Sequence, residues 1–472
     1  MRAVFPIGLL LAAAIGTTSA GELRGAGASL IVPEGTLTIE RACEIALKNN
    51  PQIQQAVESI AAAREVVAQA NSAWWPTVSA YGAYQNVDSS IQPDWQPGFR
   101  MRGTHREANA GLQASWLLFD GFAREANILA SKYAVDQSEQ ILIDVRRLLI
   151  QSVSTAFHQA QLAVANMAIA QQNRSFNKIL EEDARKRWQL GQSSESEMLN
   201  FSVRALQAET DFLNAERSFR IACTVLAELM AMENAHLPPE LYPEGNQELQ
   251  NSPLPDFDGE LRYAVEHRPD LQAITYGIQG LRQRLKSQKG SYSPTIALVG
   301  GVDYLNQSDL GRVDQDEHST FVGITAQWDL FTGGRRPAQV RQIEADIRRL
   351  NKQRQEKILS IESSIRQALD VAETAYSTYQ RQQKALELTQ RIRDHVEKAY
   401  KAGTEPLTRL NEAQTDLVRA AGQSVTSRIQ YQLALVNLKA ETGKILECEM
   451  KEVKPDIRHE AEPQPSSVQQ KK

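Results

Sequence analysis

Leu118-Phe119-Asp120-Gly121 recurs as Leu330-Phe331-Thr332-Gly333, 212 positions further along the chain. Leu190-Gly191-Gln192 recurs as Ala402-Gly403-Thr404 at the same offset, and Leu226-Ala227-Glu228-Leu229 faces Leu438-Lys439-Ala440-Glu441. Upstream, Asn50-Pro51 matches Arg268-Pro269 and Trp75-Pro76 matches Ser293-Pro294, both at 218. The change of six falls between Pro76 and Leu118, so the first half carries the longer loop there. Two constant offsets parted by one insertion mark an internal duplication, which organises everything else.

Each half reads as helix, strand, loop, strand, very long helix, turn, helix. The 69 residues between Gly121 and Gly191 contain neither Gly nor Pro, nor do the 65 between Pro337 and Gly403. Each run predicts a helix of about 100 Å at 1.5 Å per residue. Leu149, Val153, Ala156, Ala160, Ala163, Met167 and Ala170 follow a 4-3 spacing, and so do Ile361, Ile365, Ala368, Ala372, Ala375 and Tyr379. Such a heptad seam keeps one face against a neighbour, and alanine knobs allow close approach. Shorter helices over 51–73 and 193–230 together match the long one, so an end-to-end stack beside it is expected.

The strand segments alternate with period two. Over 108–118 the apolar face is Ala108, Ala110, Leu112, Ala114, Trp116 and Leu118; over 322–330 it is Val322, Ile324, Ala326, Trp328 and Leu330. Val78, Ala80, Gly82 and Tyr84 form a similar face, as do Ile296, Leu298, Gly300, Val302 and Tyr304. Opposite faces are mostly polar, as at Asn109, Gln113 and Ser115. Apolar outside and polar inside is the pattern of a membrane β-barrel. Trp116 and Trp328 occupy equivalent places, where an interfacial aromatic girdle sits. Four strands cannot close, and an open edge is not viable in lipid. Several copies must share one barrel: two give eight strands, three give twelve. The polar loops 87–106 and 306–318 are expected to face outside the cell.

The chain has 472 residues, with 52 Lys and Arg against 57 Asp and Glu, a net charge of −5 that excludes a basic nucleic-acid footprint. Residues 1–20 read as a signal peptide, with Arg2, an apolar run and Thr18-Ser19-Ala20 before Gly21. Beyond it no stretch is long and apolar enough for a membrane helix. Cys43, Cys223 and Cys448 are an odd count, which points to buried free thiols with room for one pair. The seven His show no metal-ligand spacing, and no catalytic constellation is found. Gly333-Gly334 suits a strand-to-helix corner better than a phosphate loop.

With Leu37-Thr38-Ile39-Glu40-Arg41-Ala42 leading to Asn49-Asn50-Pro51, the Leu-Phe-Asp/Thr-Gly corners and the two Gly turns, the chain resembles the TolC family of outer-membrane channel-tunnel proteins across about residues 36–443. The resemblance implies a mainly α homotrimer: a 12-stranded membrane β-barrel continuous with a 12-helix α-barrel in the periplasm, two structural repeats per chain. It divides the chain into a signal peptide at 1–20, repeats at 21–231 and 259–443, an equatorial linker at 232–258, and an equatorial segment with a disordered tail at 444–472. It implies a passive, non-enzymatic duct in the outer membrane of a Gram-negative-type cell, without cofactor. Its partners would be outer-membrane lipid, an inner-membrane transporter and a periplasmic adaptor, for efflux or type I secretion. The periplasmic aperture falls on Glu405, Arg409 and Glu412, with Ser196 and Glu197 in the first half. The turn tips Gly191, Gln192, Gly403 and Thr404 would dock the adaptor. Glu405 and Arg409 also have the four-residue spacing of an ordinary helix-surface pair. The alternative is a periplasmic structural coiled-coil protein whose strands form a soluble sheet.

Overall fold

The computed structural model describes residues 37–91, 101–238, 255–308 and 315–447. The signal peptide expected at 1–20, most of the linker expected at 232–258, and residues 448–472 of the segment expected at 444–472, Cys448 included, lie outside them. The helices are α1 Ile39–Asn49, α2 Pro51–Ser72, α3 Ala123–Gln189, α4 Glu195–Leu229, α5 Phe257–His267, α6 Pro269–Gly290, α7 Arg335–Lys401 and α8 Leu407–Thr442. The strands are β1 Thr77–Ile91, β2 Met101–Phe119, β3 Thr295–Ser308 and β4 Gln315–Gln327. Helices α3 and α7 both have 67 residues and begin 212 positions apart; α2 and α6 both have 22 and begin 218 apart. No helix among the described residues is long and apolar enough to cross a membrane.

The short helices stack as their summed length requires. Asn50 caps α2 by accepting from Gln52 N, and its Nδ2 donates to the Leu229 carbonyl at the end of α4, 2.9 Å away. In the second half Arg268 takes that place, donating to the Glu441 carbonyl at the end of α8 at 2.6 Å. Pro51 and Pro269 open their helices, where the missing N–H has no partner to lose. Side by side, the order is the α2/α4 stack, then α3, then the α6/α8 stack, then α7. The sheet repeats that order, β1-β2-β3-β4, all antiparallel.

On the α3 seam Leu149, Val153, Ala156, Ala160 and Ala163 are buried, with Met167 partly so. On α7 only Ile361, Ile365 and Ala372 are buried, because α7 stands at the open edge of the layer. Ala160 is fully enclosed within one chain, so widening it strains the chain itself. Ala160→Leu should cost about 1–3 kcal/mol by overpacking, read as an earlier denaturant midpoint in circular dichroism.

The core lies where α1, α3, α4 and the end of α8 meet, around Phe157, Val153, Leu226 and Met230, all fully buried. Cys43 and Cys223 are buried there, Cys43 with its sulfur 3.9 Å from the Ser154 hydroxyl, and burial pushes the Cys223 thiol up to about 11. Across α5, α6, α7 and α8 runs a buried ionic joint. Arg268 holds Asp270 through two bonds at 2.8 and 3.1 Å, and also Glu441 at 3.0 Å; Lys357 reaches Asp270 at 2.9 Å.

Strand to helix, the chain turns on paired corners. Arg124 donates to the carbonyls of Ala73 and Leu117 and lies 3.7 Å over the Trp74 ring. Arg336, 212 positions on, donates to the Asp329 carbonyl and faces Tyr292. This corrects the expected strand 322–330. The ladder stops at Gln327, because Trp328 donates to the Tyr292 carbonyl and Asp329 receives Arg336, which draws 328–330 into the corner. The loops expected at 87–106 and 306–318 are also shorter. Val87 pairs with His105 and Asn306 with Asp316, so strand extends to Ile91 and from Met101, and to Ser308 and from Gln315.

Candidate functional site

Three features are exposed on the described chain: the two helical turns, the helix starts that follow them, and the apolar face of the sheet. The turns come from one motif. Gly191 and Gly403 have φ of +71° and +75°, and the residue after each donates five back: Gln192 N to Arg187 O at 2.8 Å, Thr404 N to Ala399 O at 3.0 Å. This is the helix end that a left-handed glycine permits. All four tip residues are exposed, with nothing within 4 Å of where either glycine would carry a Cβ.

Behind the tips Leu180 and Ala184 of α3, Phe201 of α4 and Leu407 and Leu410 of α8 form one buried cluster that fixes the helix starts. Ser194 caps α4 by accepting from Glu197 N at 3.2 Å, so Ser196 and Glu197 lie in its first turn. Arg409 and Glu412 lie in the first turns of α8 and pair at 3.0 Å, both more than half exposed. Glu405 does not join them as a helix pair. Pro406 is the α8 N-cap, extended at ψ 155°, and a proline steers the residue before it away from helix. Glu405 therefore stands in the turn. Helix α3 separates α4 from α8, so one chain does not bring Glu197 to the Arg409–Glu412 pair.

One polar contact at this end is absent from the sequence reading. The Tyr400 hydroxyl donates to Asp183 Oδ2 at 2.9 Å and accepts from Arg187 at 2.6 Å, tying the end of α7 to the end of α3. Burial and the Asp183 carboxylate push the Tyr400 hydroxyl up to about 12. The available signal was the spacing of Asp183 and Arg187, four apart in the last turns of α3. Beside it lies an open groove of about 300 Å³ lined by Ile179, Asp183, Lys186, Glu397, Lys401 and Leu410. Tyr400→Phe removes both of those bonds and keeps the ring; a tip-proximal loss of about 1–2 kcal/mol should appear as faster hydrogen exchange at the α7 end and little change elsewhere.

On the sheet, Val78, Tyr84, Leu112, Val302, Val322 and Ile324 share one face, and each is more than half exposed. Trp116 and Trp328 stand at its helix end, 43 % and 60 % exposed, their indole N–H groups donating to the carbonyls of Trp74 and Tyr292. That leaves the rings free on an apolar rim. The other face carries Glu107 with Gln85, and Asp303 with Tyr81 and Ser319. Tyr81 reaches Asp303 over Gly111, where a Cβ would lie 2.6 Å from the carboxylate. Among the described residues no group of three or more His, Cys, Asp or Glu is placed to hold a metal ion.

Comparison with known proteins bears on this arrangement. The sequence profile described as "Outer membrane efflux protein" matches residues 42–231 and 261–444. The outer membrane efflux protein BepC of Brucella suis is 25 % identical over 359 residues, 73 % of this chain and 75 % of its own length. Among solved structures, a membrane protein from Pseudomonas aeruginosa superposes with a TM-score of 0.72 at 20 % identity, over 86 % of this chain and 92 % of that one. The CmeC outer membrane channel of Campylobacter jejuni gives 0.69 at 17 % identity, over 88 % of each chain.

Proposed function

The chain belongs to the outer membrane efflux protein family, and from that premise we propose that three copies join edge to edge into one conduit. It is an outer-membrane channel serving efflux or secretion. Each copy supplies four strands and four helical columns, so three supply twelve of each, with two structural repeats per copy. The observation that carries the reading is the exposed apolar sheet face whose outer strands, β1 and β4, each have one unpaired edge. Such a face is tolerated in lipid only when the edges find partners. Trp116 and Trp328 then form the girdle at the inner boundary of the membrane, and the long helices reach about 100 Å into the periplasm. The polar face lines the bore, and substrate passes without covalent change.

The turn tips Gly191, Gln192, Gly403 and Thr404 form the far end of the conduit and receive a periplasmic adaptor that couples it to an inner-membrane transporter. Ser196, Glu197, Arg409 and Glu412 begin the helices next to them, with Glu405 in the turn, and ring the aperture. Like charges brought together there repel unless opposite charge is near, and Arg409 supplies it to Glu412. Arg409→Glu should loosen the closed end and raise single-channel conductance in planar bilayers, with an altered salt dependence, because exposed pairs are screened within about 10 Å at 0.1 M. Val322→Ala, on the lipid-facing side, should leave conductance unchanged. Parent-like conductance and ion preference in Arg409→Glu would place the gate elsewhere. Fractionation tests the wider reading: a conduit stays with the outer membrane until detergent is added, whereas recovery in a periplasmic wash would favour a soluble coiled-coil scaffold.

A further inference from the structure

The open edge formed by α7 is long and carries charge without partners. Arg341 and Arg348 are exposed, as are Glu58 and Glu65 on α2 at the opposite edge of the layer. Among the described residues none of the four makes an ion pair within the chain. On α7 the residues that meet α6 include Gln339, which accepts from Gln288, Leu350, which lies 3.5 Å from the position a Gly277 Cβ would take, and Lys357, which reaches Asp270. At about 100° per residue these lie roughly opposite Arg341. The arginines therefore point away from their own chain, towards whatever closes the layer.

The chain contains its own template for that closure. Its halves correspond at offsets of 212 and 218, and α3 already packs against α6. In a ring of copies, the next equivalent contact is α7 of one copy against α2 of the next. Tyr133 and Tyr276, with ring centroids 6.4 Å apart, map onto Ala345 and Glu58. Ala130 and Gly280, also in contact, map onto Gln342 and Ala62. Arg348 is one turn from Ala345 and so lies within a turn of Glu58, inside the reach of its long side chain. Arg341 adjoins Gln342, and Glu65 is one turn from Ala62 in the same direction, so these two also lie within a turn of each other.

We infer that the partner of this edge is a second copy of the chain, held by Arg341 against Glu65 and Arg348 against Glu58 across each junction. This deepens the three-copy reading and rests on it. The corresponding places inside one chain are Leu129 with Gln283 and Asp136 with Tyr276, neither an ion pair. The charges thus mark the junction between copies and distinguish it from the junction between halves, as complementary edges do in selective pairing. Lower down, Phe176 and Leu180, packed in the α3–α8 cluster, map onto Leu388 and Ile392. These are 48 % and 53 % exposed, level with Leu199 and Val203 on the other edge at 53 % and 65 %. Apolar contact below and charge above would be in register along the same seam.

Paired cysteines test the geometry in the full-length protein. Glu65→Cys combined with Arg341→Cys should give covalent dimers and trimers under mild oxidation, while each single variant, and Glu65→Cys with Leu359→Cys, should not. Charge reversal tests the energetics. Glu65→Arg or Arg341→Glu alone should lower trimer yield in dilute detergent by about tenfold, since exposed pairs are individually weak but recur at three junctions, and the two combined should restore it. A parent that is trimeric but shows neither the cross-link nor the rescue overturns these contacts and leaves the ring intact. A parent that is monomeric throughout overturns the ring and the contacts with it.

Discussion

Arg268→Ala should cost the folded chain about 3–5 kcal/mol, the usual loss when one member of a buried ion pair is removed. Arg268 is only 4 % exposed, yet it satisfies both oxygens of Asp270, the Glu441 carboxylate and the Glu441 carbonyl that ends α8. Alanine would leave Lys357 as the one cation on Asp270 and strand a carbonyl where α6 stands on α8. Burial works to raise Asp270, but the bonds and fields of Arg268 and Lys357 prevail and hold it at about 2. A carboxylate lowered on folding contributes stability above its unfolded value and loses it as pH falls through the folded one. The parent should therefore lose stability between about pH 4 and pH 2, and the variant should show less of that slope. Arg268→Lys keeps the charge without the fork geometry and should fall between the two. Denaturant midpoints at pH 7 and pH 3 decide the matter; an Arg268→Ala midpoint within error of the parent would mean that the joint contributes little.

Gly121→Ala should be nearly as costly, and Gly191→Ala much less so, although the two glycines share their backbone conformation. Both lie in the left-handed region, φ +70° and +71°, where a Cβ costs about 1–2 kcal/mol. Their surroundings differ. A Cβ on Gly121 would sit 2.4 Å from the Gly290 carbonyl and 2.7 Å from Ser293 Cβ, whereas one on Gly191 meets nothing within 4 Å. Overpacking adds about 1–3 kcal/mol at Gly121 only. The pair separates backbone strain from crowding, and melting curves that shift equally for both would refute the close approach at that corner.

Much of this architecture was legible because its signals are local or periodic. Runs without Gly or Pro gave helices α3 and α7, and the Gly turns stood where φ had to be positive. The alternation at Leu112 and Val322 gave the faces of the sheet. The misreadings share a cause. Trp328 and Leu330 continue the apolar alternation of β4, but a bond from Trp328 to a helix end 36 residues away removes them from the ladder. Glu405 and Arg409 have a helical spacing, but Pro406 starts the helix between them. The Arg268–Asp270–Lys357–Glu441 joint left no trace, since Arg268 lies between α5 and α6 and its partners on α6, α7 and α8, and they meet only once those helices stack. The Tyr400 link failed to register for the same reason.

The order of the sheet also sets an order in time. Pairing of β1 with β2 is local: Ile91 meets Met101 across ten positions. Pairing of β2 with β3 joins Phe119 to Ile296, 177 positions later, with α3, α4, α5 and α6 in between. Distant contacts close late, since the chain must first lose the entropy of the loop they span. As the chain emerges from its N-terminus, the first hairpin is therefore complete while its inner strand still waits for a partner not yet synthesised. An exposed strand edge is a template for wrong pairing. The half-made chain, more than the finished subunit, is the species most in need of protection from its own kind.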